Sequence, residues 1–484
     1  MTRTRFVIAA VMLALLGLPP IVSADDRTLP LPDLSGLQGE EAQAFYLALD
    51  AVIWGYPVVF FEDLMRGRAA PDAEEKTGNP GSQVNELARV RQLRGPEYTQ
   101  IATPNNDTLY IQSFMDLSNE PMVLSVPDVE DDRYYAIQLW DPNGDTFDYV
   151  GTLTTGTDAG AYALVGPNWT GTLPDGLPRI DSPYDNAVYW GRIGVKGPGD
   201  VARANEIQDG MWITPLSAYP SDTEVPVNTA FSQSRVAYAP PTDLPDRLLF
   251  YDKLAHALQF TPPKPQQDAV FADSLAQIGF TDGNTRFDPT MLLDAERSGL
   301  AKAYLFANHL MDVNAATTGE EINGWRWSRT SGIMGTDYLF RATWAKWFTG
   351  GNRPDEAIYM DGRTDTDGAA FDGANSYTLR FEGDALPGVS AFWSLSMYDA
   401  GNGAFVANPT NRYSIGTYTP GLVYGDDGSL TITIQNTAPE GDSATSNWLP
   451  APEGGFYMNL RLYGPDDGLA TGTWAPPAVE RSNP

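Results

Sequence analysis

The chain has 484 residues, with 31 Lys and Arg against 62 Asp and Glu, a formal charge of −31, two histidines and no cysteine. That balance disfavours nucleic acid and anionic lipid as partners, because neutralising phosphate needs clustered Lys and Arg. Disulfides, thiolate metal sites and a cysteine nucleophile are excluded, so stability must come from apolar cores.

Arg3 and Arg5, the apolar run 6–18, Pro19-Pro20 and Val22-Ser23-Ala24 read as a secretory signal cleaved after Ala24. The run is too short to span a bilayer, and no later stretch approaches about eighteen consecutive apolar residues, so no membrane span is expected. An exported, soluble protein, periplasmic or extracellular, follows. Phe45, Leu49, Val52, Ile53 and Tyr56 recur at helical spacing behind Glu40-Glu41 and predict an amphipathic helix over 40–56, stopped at Pro57 and packed on the first β region. Residues 66–102 read as loops around Pro71, Gly78, Pro80, Gly81 and Pro96.

From 108 to about 195 short strand-like runs alternate with Gly, Pro, Asn and Asp: 109–114, 121–126, 134–140, 147–153 and 162–165. Helical periodicity returns over 243–350, with Asp288-Pro289 as one helix start and Gly350-Gly351 as a stop. Tyr338, Leu339, Phe340, Trp344, Trp347 and Phe348 make the last of these helices apolar nearly all round and therefore buried. After 355 the strand pattern resumes at 376–381, 392–398, 429–435 and 456–463.

The two β regions share a pattern. Tyr134-Tyr135-Ala136-Ile137-Gln138-Leu139-Trp140-Asp141 aligns with Phe392-Trp393-Ser394-Leu395-Ser396-Met397-Tyr398-Asp399, and Asn143-Gly144 finds a looser counterpart in Asn402-Gly403. A duplicated fold is expected: mainly β, two antiparallel jelly-roll-like β-sandwich domains joined by helices. The expected organisation is signal peptide 1–24, helical segment 25–66, first sandwich 67–215, helical connection 216–354 and second sandwich 355–484. Tyr135, Ile137 and Leu139 suit a core, whereas Tyr134, Gln138 and Trp140 suit a half-wet surface or a partner face.

Thr103-Pro104-Asn105-Asn106-Asp107-Thr108-Leu109-Tyr110, with Leu124-Ser125-Val126-Pro127, Arg133-Tyr134-Tyr135 and Tyr149-Val150-Gly151-Thr152, resembles the bacterial domain-of-unknown-function family 1254. The segment from Ala391 through Asp399, Asn411-Arg412-Tyr413-Ser414, Ser446-Asn447-Trp448-Leu449-Pro450 and Leu460-Arg461-Leu462-Tyr463 resemble family 1214, its usual C-terminal companion. The resemblance implies export and two β-sandwich domains; it supplies no catalytic residues and no known cofactor.

The site expected from the residues themselves is the rim formed by Asp107, Tyr110 and Arg133, a carboxylate, a phenol and a cation able to move protons if burial shifts their pKa values toward neutrality. The competing structural reading is that Asn105-Asn106-Asp107 is a strand-entry turn. Asn105, Asn106, Tyr134, Gln138, Trp140, Arg412, Tyr413, Asn447 and Trp448 are candidate ligand contacts, Trp448 as a sugar platform or a core cap and Arg412 as an anion site or an ion pair with Asp399. His256 and His309 sit in apolar settings that suit core histidines, and two histidines cannot build a multi-histidine zinc site. The acidic runs 141–145 and 361–372 lack the spacing of a helix-loop-helix calcium loop and read as turns. Neither a cofactor nor a metal follows from these residues. The leading expectation is a small or oligomeric ligand, a small molecule or a carbohydrate, held in a cleft between the β domains, with or without turnover. Its rivals are a structural protein that forms homo-oligomers through aromatic strand faces and a calcium-assisted polysaccharide-active enzyme.

Overall fold

The computed structural model describes residues 29–482 except 222, 224 and 226–234; the signal-peptide reading lies outside the described residues. Helix α1 (Gly39–Ala69) runs straight through Pro57. Proline inside a helix costs about 3 kcal/mol through a lost hydrogen bond and a clash. Here the far side of the proline is worth burying: Val58, Val59, Phe61 and Met65 are almost wholly covered, which offsets that cost. By length and composition α1 could cross a membrane, but 61% of its apolar window is buried inside the molecule.

The first β unit holds β1 (Ala88–Arg89), β2 (Thr108–Asp116), β3 (Met122–Val126), β4 (Tyr135–Trp140), β5 (Thr146–Gly151), β6 (Gly160–Val165), β7 (Arg179–Asp181), β8 (Asn186–Gly194) and β9 (Trp212–Pro215). They form two sheets, β1-β2-β8-β4-β5 and β7-β6-β3-β9, that enclose one core of Leu109, Ile111, Leu124, Tyr135, Ile137, Leu164 and Ile213.

Three longer helices, α2 (Asp246–Ala257), α3 (Asp294–Thr317) and α4 (Tyr338–Trp347), follow, with a short helix (Ala269–Leu275) and a small hairpin of β10 (Phe280–Thr281) and β11 (Arg286–Phe287) between α2 and α3. Helix α1 packs chiefly on α3, α4 and α2 rather than on the first β unit alone. Only its last turns reach that unit, where Phe61 meets Phe114 and Trp140. Every residue of α4 from Phe340 on is buried, as its all-round apolarity requires.

The second unit holds β12 (Glu320–Ile322), β13 (Trp325–Trp327), β14 (Ala357–Gly362), β15 (Ser376–Phe381), β16 (Val389–Asp399), β17 (Ser414–Gly416), β18 (Leu430–Gln435), β19 (Trp448–Pro450), β20 (Phe456–Pro465) and β21 (Glu480–Ser482). Its sheets, β12-β13-β14-β20-β16-β17 and β19-β18-β15-β21, share a second core. The edge strand β12 and its neighbour β13 come from the segment expected to be a helical connection.

The duplication is visible strand by strand. The order β2-β8-β4-β5 corresponds to β14-β20-β16-β17, and β7-β6-β3-β9 to β19-β18-β15-β21. Both units also break the otherwise antiparallel pairing at the same place, since β6 and β7 are parallel, as are β18 and β19. Ile137 and Leu395 sit on corresponding strands, and the corners match. Asp141 Oδ1 accepts from the amides of Asn143 and Asp145, and Asp399 Oδ1 from those of Gly401 and Asn402. Each corner contains a left-handed glycine, Gly144 at φ 89° and Gly403 at φ 69°. At Gly144 an added Cβ would also lie 2.8 Å from the Trp344 ring.

Candidate functional site

Alternation along the strands decides what faces the gap between the two units. With Leu109, Tyr135, Ile137 and Ile193 committed to the first core, Tyr110, Tyr134, Gln138 and Arg192 take the opposite face. In the second unit Ile358, Leu395, Leu460 and Leu462 turn inward, leaving Tyr359, Ser394, Ser396, Arg461 and Tyr463 opposite. These two faces pack on one another: the Tyr134 ring lies 5.7 Å from Phe392 and 5.0 Å from Tyr463.

The duplication places the same three residue types on both faces. Tyr110 pairs with Arg192 across β2 and β8, and Tyr359 pairs with Arg461 across β14 and β20. Because Tyr135 pairs with Ile193 as Trp393 pairs with Leu462, Arg192 and Arg461 are equivalent positions. Three residues before each tyrosine stands an acid, Asp107 in one unit and Glu356 in the other.

Each acid reaches across to the other unit. Asp107 Oδ2 accepts from Ser394 Oγ at 2.5 Å and its Oδ1 from Ser414 Oγ at 3.3 Å, with Arg461 close enough to act on its charge. Glu356 Oε1 accepts from Tyr134 O–H at 2.7 Å, with Arg192 nearby. Burial raises both carboxyls above the ordinary carboxylate range, against the pull of the hydroxyls and arginines, and takes Glu356 up to about 7. Burial likewise keeps Tyr134, Tyr359 and Tyr463 protonated.

Arg192 donates to Gln138 Oε1 and Asn352 Oδ1, both at 3.0 Å, and to Gly350 O. Arg461 donates to Ser396 Oγ and Tyr398 O–H at 2.8 Å and to the carbonyls of Thr103 and Pro104 at 3.1 and 3.3 Å. Tyr110 and Tyr359 act electrostatically on both Arg192 and Tyr463, so all four groups share one neighbourhood between the sheets. Both tyrosines nevertheless keep part of their surface uncovered, and this place is here called the gap.

The turn at 103–107 is a plug between the units. Thr103, at φ 55°, bonds Tyr457 through its hydroxyl at 2.7 Å and Gly403 O through its amide at 2.8 Å. Pro104 O also accepts from Tyr398 O–H at 2.7 Å, and Asn105 Nδ2 donates to Tyr463 at 2.8 Å. Asn105, rather than Asp107, makes the local turn, its Oδ1 accepting from the amides of Asp107 and Thr108. Asn106 Oδ1 is buried without a partner.

Of the expected rim, Asp107 and Tyr110 lie in the site and Arg133 does not. Arg133 holds Asp200 through two bonds of 2.5 and 2.8 Å and Gly194 O at 2.6 Å; Arg461 is the cation whose charge reaches Asp107, without a direct bond. Tyr134, Gln138 and Asn105 border the gap as hydrogen-bonding groups. Trp140 is instead packed among Phe61, Trp190 and Trp344. Arg412 holds the carbonyls of Ser446 and Trp448 rather than Asp399, and Tyr413 donates to Asn411. Asn447 bonds Val423 and Thr431, and Trp448 is buried with its indole N–H on Gln435 O. These last four residues tie loops of the second unit and are not brought to the gap.

His256 stacks on Tyr238 at 4.0 Å and burial lowers it to about 4, so it is neutral at pH 7. Asp365, in the second acidic run, accepts from the amides of Asp367 and Ala369, as an Asx turn does. Among the described residues no three acidic or histidine side chains gather as a metal site would require.

Arg192, Arg461, Tyr359 and Glu356 escaped the sequence reading as site residues. The signal was present: Asp107-Thr108-Leu109-Tyr110 and Glu356-Ala357-Ile358-Tyr359 both read acid, small, aliphatic, tyrosine, and each unit's β8-type strand carries arginine between core residues.

Residues 84–215 match the family model described as a protein of unknown function (DUF1254), and residues 356–467 the one described as a protein of unknown function (DUF1214). No curated protein matches the chain. Among solved structures, the VPA0106 protein from Vibrio parahaemolyticus is similar at 25% identity and a TM-score of 0.67, covering 91% of this chain and 100% of that one. An uncharacterised protein from Burkholderia cenocepacia aligns at 10% identity and a TM-score of 0.39, over 92% of this chain and 94% of that one. Each matched segment carries one acid, tyrosine and arginine set, and the chain therefore joins an N-terminal DUF1254 domain to a C-terminal DUF1214 domain.

Proposed function

We propose that this is an exported protein, periplasmic or extracellular, that binds a small ligand in the gap between its two β units. The observation that carries this reading is the pair of equivalent tyrosines, Tyr110 and Tyr359, enclosed between the sheets yet partly uncovered, with no hydrogen bond from the Tyr110 hydroxyl among the described residues. That hydroxyl is not among the buried unpaired atoms, so it is open to solvent and available to a ligand that can hydrogen-bond to it. The jelly-roll sandwich description of each unit belongs to the same proposal. Paired sheets around one core support it, and the parallel edge pairs depart from it.

Turnover, if the ligand is consumed, would draw on Glu356, the carboxyl poised near pH 7 against Tyr134, rather than on Arg133. Neither rival gains comparable support. The aromatic strand faces invoked for oligomer contacts are used inside the chain, and the acidic loops close on their own backbone. The test is a thermal-shift screen of small molecules, neutral and charged, on the wild-type chain and Tyr110→Phe. This change removes one hydroxyl and no internal hydrogen bond, so melting without ligand should be unchanged. Ligands of the gap should lose their shift in the variant. If every ligand that stabilises the wild type stabilises Tyr110→Phe equally, the gap is not the site.

A further inference from the structure

On the reading that the gap binds a ligand, we infer that the ligand is a small organic anion, whose carboxylate or phosphate group lies between the Tyr110–Arg192 pair and the Tyr359–Arg461 pair. The gap has more donors than acceptors. Tyr359 oxygen accepts from Asn352 Nδ2 at 2.6 Å and Tyr463 oxygen from Asn105 Nδ2 at 2.8 Å, and neither phenol proton has an acceptor among the described residues. The Tyr110 hydroxyl proton is in the same position. Three phenol donors thus lie in the neighbourhood of Arg192, which has given only three of a guanidinium's five N–H groups, all to neutral oxygens. An oxyanion, with lone pairs and no protons, is the complement of such a set.

Charge points the same way. Elsewhere in the core three buried arginines are matched by a carboxylate, Arg133 by Asp200, Arg235 by Glu62 and Arg341 by Asp145, while Arg68 has no such match among the described residues. Arg192 and Arg461 are just as buried, yet neither has a carboxylate within ion-pair distance among the described residues. The two acids that approach them are turned to hydroxyl donors, Asp107 to Ser394 and Ser414 and Glu356 to Tyr134. A buried guanidinium held by neutral oxygens alone gains strongly from an anion brought beside it. In a chain of net charge −31, two such cations on equivalent strands at one interface are a local inversion of the protein's field.

The experiment is calorimetric titration of the full chain with benzoate, with its neutral isostere benzamide, and with inorganic phosphate. Benzoate should bind at least about tenfold more tightly than benzamide, as expected when a charge-assisted set of donors is the recognition element. Tyr110→Phe, which removes no internal bond, should weaken benzoate by about tenfold, and Arg192→Lys should do so while keeping the charge, because lysine cannot reproduce the guanidinium fork. Competition of phosphate with benzoate assigns recognition to the oxyanion alone; benzoate binding without such competition assigns it to a carboxylate on an organic body. Equal affinity for benzoate and benzamide, benzoate binding that survives Tyr110→Phe, or no binding of either anion overturns the inference. A neutral ligand that needs Tyr110, beside anions that do not bind, would sink the anion class and leave the site standing. Ligands indifferent to Tyr110 would sink both.

Discussion

Replacing Glu356 by Gln should stabilise the protein above neutral pH and change little below about pH 5. Glu356 is 3% exposed, and burial takes its carboxyl from 4.5 up to about 7, against a hydrogen bond from Tyr134 and the charge of Arg192. In the unfolded chain it loses its proton near 4.5, whereas the folded protein holds it to about 7, so across that window the folded state binds more protons and stability falls as pH rises. The contribution is fully present below 4.5 and gone above about 7. At about 1.4 kcal/mol for each pH unit this amounts to roughly 3 kcal/mol. Glutamine keeps an oxygen to accept from Tyr134 and cannot ionise. Urea unfolding of wild type and Glu356→Gln at intervals from pH 5 to 8 reads the difference directly. Asp141, which burial and the neighbouring Asp145 raise to about 6, adds the same slope to both proteins and cancels. Curves that stay parallel over the whole range, or a variant less stable at pH 8, would refute a protonated Glu356 in the folded protein.

Asp107→Asn should cost roughly 1–3 kcal/mol, more than a broken turn, because an amide cannot accept from both Ser394 and Ser414 while Asn105 goes on making the turn itself; denaturant midpoints measure it. Arg133→Met should cost roughly 1–3 kcal/mol by removing its bonds to Gly194 O and to the part-exposed Asp200, which keeps the Lys196 amide, with the ligand response intact wherever the variant remains folded. The exported protein should begin at Asp25, which its mass reports; a soluble form retaining residues 1–24 would contradict the cleavage reading.

Much of the architecture was legible because period-two patterning is local. The strand expected over 376–381 is β15 to the residue, and the two aligned octapeptides fall on the equivalent strands β4 and β16. The helix stop at Pro57 was not legible, since what carries α1 past it is burial against elements far along the chain. Short strands such as β7, β17 and β19 carry too few residues for alternation to register. For the site, pattern could say that Tyr134 and Gln138 face away from the core but not what they face. Arg133 and Arg192 look alike in sequence; only the fold gives one to Asp200 and the other to the gap.

The plug at 103–107 has a consequence for how the chain folds. Its bonds to Ser394, Tyr457 and Tyr463 join residues separated by 287 to 358 positions in sequence. Closing loops of that length comes late and slowly, after each unit can build its own core from nearer strands. Until the plug docks, Arg461 lacks its bonds to the carbonyls of Thr103 and Pro104. Docking supplies them together with the bonds to Ser394, Tyr457 and Tyr463, so the two units should melt together, and severing the chain between them should leave each with a polar, tyrosine-rich sheet face open to water. Refolding followed by tryptophan fluorescence should accordingly show a slow final phase that Asp107→Asn retards; a variant that refolds at the wild-type rate would mean the plug closes after the barrier.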